Sequence, residues 1–248
     1  MNNIIYGRNT VIEALKSKRE IEKLLLLKNG EGSIKKIEGM AKDRKIPIQY
    51  VDKTALDRVT DELKSDGSHQ GVVAYTSAYK YKEVEDLLSI ASNKKESPFL
   101  IILDGIEDPH NLGAILRTAD GAGAHGVIIP KRRAVGLTDT VAKSSAGAIE
   151  YIPVAKVSNI SQTIEQLKEA GLWIAACDMD GQTYYQTDLT GPIALVIGSE
   201  GKGISRLVRE KCDFILSIPM EGRISSLNAS NAAAVLVYEI HKQRKGKR

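Results

Sequence analysis

The sequence lacks the features of secreted, disulfide-stabilised and membrane-spanning proteins. It has only two cysteines, Cys177 and Cys212, so we expect no disulfide framework and a reducing, cytoplasmic environment. No apolar run approaches the roughly 18 residues of a membrane span. The opening residues MNNIIYGRNT do not join a basic segment to an apolar one, so we expect no secretory signal. The His, Cys and Asp residues do not cluster in the sequence, so we expect no metal site.

The composition is that of an ordinary globular protein, and its charge is unevenly distributed. Hydrophobic residues make up 42% and charged residues 27% of the 248 residues, which excludes a disordered chain. Residues 1–95 have a net charge of +4 and residues 96–241 of −5, and the last seven residues, KQRKGKR, add five cations. This pattern indicates one of two alternatives. Either the basic front and the basic tail hold an anionic polymer at both ends, or the charges are solvated surface charge and the tail is disordered.

Alternating helix and strand patterns divide the chain into two α/β units. Strand-like EKLLLLK (22–28) and GVVAYTS (71–77) alternate with amphipathic helical segments in the first unit. Polar residues 79–97 predict a short helix and a linker. The second unit opens with FLIILDGI (99–106), a continuous apolar run typical of a buried parallel strand. Repeated βα alternation after it predicts a parallel sheet with helices on both faces.

The segment GAGAHG (121–126) matches the dinucleotide-binding pattern G-x-G-x-x-G in letters only. That motif must follow a strand and open a helix, so that the helix N-terminus meets the pyrophosphate. Here a helical pattern ends in the glycines and an apolar strand, GVIIP, follows. We therefore interpret these glycines as helix C-terminal residues.

A second glycine-rich segment, GSEGKG (198–203), follows the apolar strand IALVI and precedes a helical pattern. Loops in this position bind ligands in α/β proteins, and glycine lets the backbone approach a ligand closely. The segment does not satisfy the Walker pattern. Glu200 within it is either a functional carboxylate or an acid stabilised by a helix dipole.

Two further segments concentrate polar residues at predicted helix N-termini. In DPHNLGAILRTADGAGAHG (108–126), Asn111 is expected to cap a helix, and Arg117 lies among small and apolar residues. A permanent cation there needs an anion, so Arg117 either binds a ligand or forms an internal salt bridge. In 218–239, five residues crowd the start of an Ala-rich helix although one suffices as a cap: Ser225, Ser226, Asn228, Ser230 and Asn231.

These three segments resemble the motifs of the SpoU-type RNA 2′-O-ribose methyltransferases of the SPOUT superfamily. The motifs are matched, in the family's order and spacing, by NLGAILRTAD, LVIGSEGKGIS and IPMEGRISSLNASNAAA. Segment 132–160, YGRNTVIEAL and HQGVVA resemble the bacterial branch that methylates a guanosine ribose in large-subunit 23S rRNA. The third motif departs from the family where Asn231 follows Ser230, since small apolar residues are usual there.

The resemblance implies a fold, a cofactor and partners. It implies an RNA-binding α/β domain over 1–78, similar to a domain of some ribosomal proteins, then a linker over 79–97. A SPOUT methyltransferase domain with a parallel sheet and a deep trefoil knot is implied over 98–248. The implied methyl donor is S-adenosyl-L-methionine, and the implied state is a homodimer. The implied partner is RNA, either 23S rRNA or a large-subunit assembly intermediate.

The resemblance also implies which residues form the site. The donor pocket is lined by Gly198, Gly201, Ile218, Met220 and Leu227. The polar catalytic set is Asn111, Arg117, Glu200, Ser226 and Asn228. An arginine with a pKa above about 12 is a poor base, so we expect Arg117 to clamp the target phosphate and polarise the hydroxyl.

Two other functions fit parts of the sequence. A tRNA ribose 2′-O-methyltransferase would carry the same three motifs, but the separate front domain and segment 132–160 favour rRNA. A non-catalytic RNA-binding protein would fit the charge distribution. The presence of Asn111, Arg117, Glu200 and Asn228 together favours an enzyme.

Overall fold

The computed structural model describes residues 3–62 and 68–246, and the chain forms two compact units. Unit 1 contains the chain up to Lys80 together with Leu137–Tyr151, and unit 2 contains Tyr81–Gly136 and the chain from Ile152 onward. The last two residues of the basic tail lie outside the described residues. No helix in the described ranges is both long and apolar enough to cross a membrane.

The strands and helices follow one another along the chain in the alternation that the sequence predicts. In chain order they are β1 (Asn3–Tyr6), α1 (Arg8–Lys16), β2 (Ile21–Leu27), α2 (Ser33–Asp43), β3 (Ile48–Val51), α3 (Lys53–Glu62), β4 (Val72–Thr76), α4 (Val84–Asn93), β5 (Phe99–Asp104), α5 (Pro109–Gly121), β6 (Gly126–Pro130), α6 (Asp139–Ser144), β7 (Val154–Val157), α7 (Ile160–Glu169), β8 (Trp173–Thr183), β9 (Ile193–Gly198), α8 (Arg206–Arg209), β10 (Phe214–Ser217) and α9 (Ala229–Lys245). Short 3-10 helices occupy Ala148–Glu150 and Tyr184–Gln186.

Unit 1 is built on a mixed four-stranded sheet in the order β1-β4-β2-β3. β4 pairs antiparallel with both β1 and β2, whereas β2 pairs parallel with β3. One core cluster of this unit consists of buried Tyr6, Leu25, Leu56 and Val73. β2 is a middle strand of this sheet, and helices cover the middle strands. Its apolar residues therefore form a continuous run and do not alternate with polar ones.

A buried ion pair lies within unit 1. The guanidinium of Arg19 is 2.9 Å from the Glu150 carboxylate, and the two side chains are only 7% and 5% exposed. Arg19 also stacks over the Tyr79 ring, 3.5 Å from its centroid. Burial raises the pKa of Tyr79 well above its usual range, so its hydroxyl stays protonated and donates to Glu150 Oε1 at 3.2 Å. Ser17 Oγ donates to the other carboxylate oxygen, so Glu150 is fully satisfied.

Unit 2 is built on a six-stranded parallel sheet in the order β10-β8-β9-β5-β6-β7. The predicted α/β class and parallel sheet are confirmed. Leu100 and Ile102 of β5, Ile128 of β6 and Val196 of β9 are fully buried in one core cluster. These residues come from the continuous apolar runs of the sequence, because a parallel sheet with helices on both faces buries both sides of each strand. The trefoil knot is a property of the chain path that strand order does not test, and it stays a prediction.

The division into units differs in two places from the boundaries expected from the sequence. Segment 79–97, expected to be a short helix and a linker, contains that helix as α4, but Val84 and Leu87 of the helix pack in the core of unit 2. Segment 137–151, expected within the methyltransferase domain, is grouped with unit 1. Within that unit Glu150 provides the partner of Arg19, and the Tyr151 hydroxyl donates to Glu13 at 2.5 Å. Polar patterning alone did not reveal these packing contacts.

Candidate functional site

The site lies where neighbouring parallel strands of unit 2 end. β5 and β9 pair in register, so Asp104 and Gly198 lie side by side at their carboxyl ends. The loop that follows β9 is the predicted glycine loop. Asp104 anchors the far end of this loop, because its Oδ2 accepts a hydrogen bond from the Ser205 backbone N at 2.7 Å. The glycine loop therefore lies at the carboxyl edge of the parallel sheet, the edge at which ligands bind in α/β proteins.

The glycine loop folds back on itself. The backbones of Ser199 and Gly203 form two hydrogen bonds with each other, of 3.1 and 2.9 Å. A Cβ on Gly198 would lie 2.3 Å from the carbonyl carbon of Gly203, so the closed loop requires glycine at 198. Gly201 has a φ of 78° and Gly203 of 64°, backbone conformations that favour glycine. The glycines therefore hold the turn that presents Glu200.

Glu200 joins the three predicted motifs in one hydrogen-bond network. Its Oε1 accepts from Asn111 Nδ2 at 2.9 Å and also from Asn228 Nδ2. Asn228 is the N-cap of α9, and its Oδ1 accepts from the Ser230 backbone N at 2.9 Å and from Ser230 Oγ at 2.6 Å. These two bonds orient the amide so that its nitrogen faces Glu200. Among the described residues, Glu200 Oε2 accepts no hydrogen bond.

The amide of Asn111 is positioned by α5, although not as its cap. The N-cap is Asp108, whose side chain accepts from the His110 backbone N at 2.8 Å, and Pro109 occupies the first helical position. The prediction that Asn111 caps the helix is therefore wrong. An Asp followed by Pro is a strong helix start, and it places Asn111 in the first turn. There Asn111 is only 6% exposed and free to donate to Glu200.

Two cavities meet at Glu200. The larger, of about 660 Å³, extends from the glycine loop to the loop before α9. Its lining includes every residue predicted for the donor pocket, namely Gly198, Gly201, Ile218, Met220 and Leu227, together with Ser226, Glu200 and Asn228. The smaller, of about 260 Å³, is lined by Asn111 and by the loops after β5 and β9. Glu200 and Ser199 line both, so the carboxylate stands at their common wall.

Arg117 is the one predicted site residue that lines neither cavity. It lies on the exposed face of α5, and no ion pair or hydrogen bond of its side chain occurs among the described residues. Of the two alternatives for Arg117, the internal salt bridge is therefore wrong, because the small and apolar neighbours of Arg117 in sequence cover other faces of the helix. Its guanidinium is free to meet an anion from outside.

Sequence reasoning missed the contribution of β8. Cys177 and Asp178 of this strand line the larger cavity. Burial, and then the Asp178 carboxylate, raise the pKa of Cys177 to about 11, so the thiol stays protonated at neutral pH. Arg209 Nε donates to Asp178 at 2.9 Å. No motif marks these residues, because only strand order brings the end of β8 beside β9.

Comparisons with known proteins agree with this geometry. Residues 98–238 match the SpoU rRNA Methylase family, and residues 4–82 match the RNA 2′-O ribose methyltransferase substrate-binding domain. The chain belongs to the SpoU rRNA methylase family. It is 51% identical, over 98% of this chain and 96% of the relative, to the putative TrmH family tRNA/rRNA methyltransferase YacO of Bacillus subtilis. The predicted family is confirmed.

Solved structures show the same fold. The SpoU methyltransferase AviRb from Streptomyces viridochromogenes, in complex with AdoMet, superposes with a TM-score of 0.82 at 24% identity, covering 100% of this chain and 92% of that chain. The TrmH/SpoU tRNA modifying enzyme of A. aeolicus gives a TM-score of 0.57 at 27% identity, covering 66% of this chain and 84% of that chain. AviRb therefore shares the fold over the whole of this chain.

Proposed function

We propose that this methyltransferase transfers a methyl group from S-adenosyl-L-methionine to a ribose 2′-hydroxyl, that of a guanosine in large-subunit 23S rRNA. The observation that carries the proposal is the position of Glu200, at the wall shared by two cavities and held by amides from two separate motifs. One cavity suits the donor and the other suits the acceptor. The proposed setting is the cytoplasm, where the RNA is made.

The larger cavity fits the methyl donor. Its volume of about 660 Å³ lies in the usual range for small-molecule sites. Ile197, Ile218 and Leu227 supply apolar surface, and the glycine loop exposes backbone groups. Among the residues that the structure describes, the only charged ones in its lining are Asp178 and Glu200, which suits a cationic sulfonium. When bound, the donor supplies an electrophilic methyl group; AviRb was solved with this molecule.

The residues of this chain position and activate the hydroxyl. In the proposed mechanism, Glu200 Oε2 accepts the 2′-hydroxyl hydrogen and aims an oxygen lone pair towards the larger cavity. Asn111 and Asn228 hold Oε1, so the carboxylate cannot turn away. Ser226 lines the larger cavity and is in place to contact the donor. Positioning of this kind can supply about 7–11 kcal/mol of the barrier reduction.

Arg117 and a second copy of the chain complete the proposal. An exposed guanidinium outside both cavities contacts a target phosphate only when RNA or a partner subunit brings that phosphate to α5. We therefore retain the expected homodimer and the phosphate-clamp role as parts of the proposal. They are supported by the free guanidinium of Arg117 and by the family's motif at that position.

The test is transfer of labelled methyl groups by the full-length protein to 23S rRNA transcripts and, in parallel, to tRNA transcripts. A 2′-O-methyl group blocks alkaline cleavage at the next phosphodiester, which maps the modified nucleotide. We expect a single guanosine in 23S rRNA. Methylation of tRNA alone would establish the second candidate, a tRNA ribose 2′-O-methyltransferase; the A. aeolicus protein is named as a tRNA modifying enzyme, whereas the name of the B. subtilis relative covers both tRNA and rRNA. Failure to methylate either RNA would favour a non-catalytic RNA-binding protein.

A further inference from the structure

The acceptor cavity of unit 2 has the wrong charge for an RNA backbone. Its lining carries three carboxylates, Glu107, Asp108 and Glu200, and a single cation, Lys202. A ribose hydroxyl fits such a site, but the phosphates on either side of it would be repelled. Cations close to the cavity rim are needed to hold these phosphates.

Three consecutive cations, Lys131, Arg132 and Arg133, follow β6, and the backbone of Arg133 lies beside that rim. We call them the 131–133 loop. β6 neighbours β5 in the parallel sheet, so this loop emerges at the same edge as Gly105 and Ile106, which line the acceptor cavity. The Arg133 carbonyl oxygen is 3.9 Å from the position that a Cβ on Gly105 would take. The Val135 backbone N donates to Ile106 O at 3.0 Å, which ties the two loops together.

The cations of the 131–133 loop are available to a ligand. All three residues are exposed, and in the described part of the chain none forms an ion pair with an acidic side chain. The loop backbone is nevertheless fixed, because Lys131 N donates to Val157 O at 2.8 Å. Arg133 has a φ of 56°, a backbone conformation that is uncommon for non-glycine residues. Ordered backbone and free charge are the properties of a preorganised anion contact.

We infer that the 131–133 loop binds the RNA phosphodiester backbone beside the target ribose and so positions the hydroxyl over the acceptor cavity. The inference rests on the proposed function and identifies the part of the protein that grips the RNA next to the reacting group. Contacts to phosphate carry no sequence information, so the loop sets register and affinity while the choice of nucleotide is made elsewhere.

A matched set of cations lies at the opposite edge of the same sheet. Lys94, Lys95 and Lys245 are exposed and line a cavity at the start of β5, near Phe99. Removing them changes the net charge by the same amount as removing the 131–133 loop cations. A comparison of the two triple variants therefore separates a local contact from general electrostatic attraction.

The experiment compares K131Q/R132Q/R133N with K94Q/K95N/K245Q in the full chain; Asn is used at 95 and at 133 because φ is positive at both positions and Asn tolerates it. Affinity for a single-stranded oligouridylate and for a 23S rRNA transcript is measured between about 50 and 200 mM salt. Three lost contacts should make the negative slope of log affinity against log salt shallower by about 2. The ratio of wild-type to variant affinity should therefore fall roughly 16-fold between the lowest and the highest salt concentration. The opposite-edge variant should change the slope by well under half as much.

Kinetics provide a second readout. The KM for RNA should rise in the 131–133 variant while kcat at saturating RNA and the affinity for S-adenosyl-L-methionine stay near wild type, as expected for uniform binding energy. Equal losses in the two triple variants, or no loss in the 131–133 variant, would overturn the inference while leaving the proposed function intact if the wild type methylates rRNA. A wild type that methylates no RNA would defeat the proposed function, and the binding comparison would still decide whether this loop contacts RNA.

Discussion

Two carboxylates, Glu150 in unit 1 and Glu200 in unit 2, are held in opposite ways. Glu150 is buried and receives hydrogen bonds from a permanent cation, a tyrosine and a serine. Glu200 is exposed and held by two neutral amides on one oxygen, with the other oxygen free of hydrogen bonds from described residues. A carboxylate neutralised by Arg19 has no capacity left for a ligand. A carboxylate oriented by amides keeps both its charge and an acceptor site.

The first prediction uses the stabilising role of Glu150 and has the largest expected effect. Arg19→Ala should lower the free energy of unfolding of unit 1 by about 3–5 kcal/mol, because it leaves Glu150 buried and unpaired. Thermal and urea denaturation followed by circular dichroism would measure this. Lys16→Ala is the matched control: its pair with Glu13 is at the surface and should be worth about 1 kcal/mol or less. Equal small losses in the two variants would show that the Arg19–Glu150 pair does not stabilise unit 1.

The second prediction concerns Glu200. Glu200→Gln should reduce methyl transfer about 10²–10³-fold, the usual cost of removing one preorganised electrostatic group. The melting temperature should hardly change, because an exposed carboxylate without a cation partner contributes little to folding. Single-turnover rates and calorimetric binding of S-adenosyl-L-methionine would separate chemistry from donor binding. Near-normal turnover, or unfolding comparable to that of Arg19→Ala, would remove the contrast between the two carboxylates.

The third prediction extends the comparison to a cation. Arg117, unlike Arg19, is exposed and without a partner among the described residues, so Arg117→Ala should leave stability unchanged. Losing a charged hydrogen bond to phosphate, worth about 1.5–3 kcal/mol, should slow methyl transfer roughly 10- to 100-fold while sparing donor binding. Arg117→Lys should rescue little, since lysine lacks the planar fork. Turnover on rRNA that survives in both variants would show that Arg117 is not a phosphate clamp.

The fourth prediction has the smallest expected effect. It concerns the pH dependence of the unfolding free energy at a third pairing, that of the Glu96 carboxylate with His125. His125 is fully buried in unit 2, where its Nδ1 accepts from Phe99 N at 3.0 Å and its Nε2 faces Glu96 at 3.1 Å. Burial lowers the pKa of His125, so the folded ring stays neutral when the unfolded ring is protonated. The unfolding free energy should therefore fall as pH drops below about 6.5, the ordinary histidine value. Melting curves of wild type and His125→Gln across pH 5–8 test this; an identical pH slope in both would contradict it.

Much of the site could be predicted from sequence because its residues lie in short, ordered motifs. Every predicted donor-pocket residue lines the larger cavity, and Asn111, Glu200, Ser226 and Asn228 line one or both cavities. Local patterns also showed that GAGAHG ends a helix, and the structure has α5 ending at Gly121 with β6 starting at Gly126. Such features depend on neighbours within a few residues, which a pattern can express.

The remaining features depend on contacts between residues far apart in the chain. Helical spacing alone did not show that Arg117 lies outside both cavities. It also did not show that Asp108, and not Asn111, caps α5. The ion pair of Arg19 with Glu150 joins residues 131 positions apart, and no local signal links them. The same holds for the 131–133 loop, whose charge is visible in the sequence while its place beside Gly105 is not.

Amino-acid order alone was enough to establish the family, the α/β class and the parallel sheet, and to predict residues that line the larger cavity. The tertiary structure decided which oxygen of Glu200 is held, which cations remain free, and which segment completes unit 1. The reason is physical: hydrophobic periodicity and turn chemistry act over a few residues, whereas the environment of a charged group is set by whichever strands and loops pack beside it.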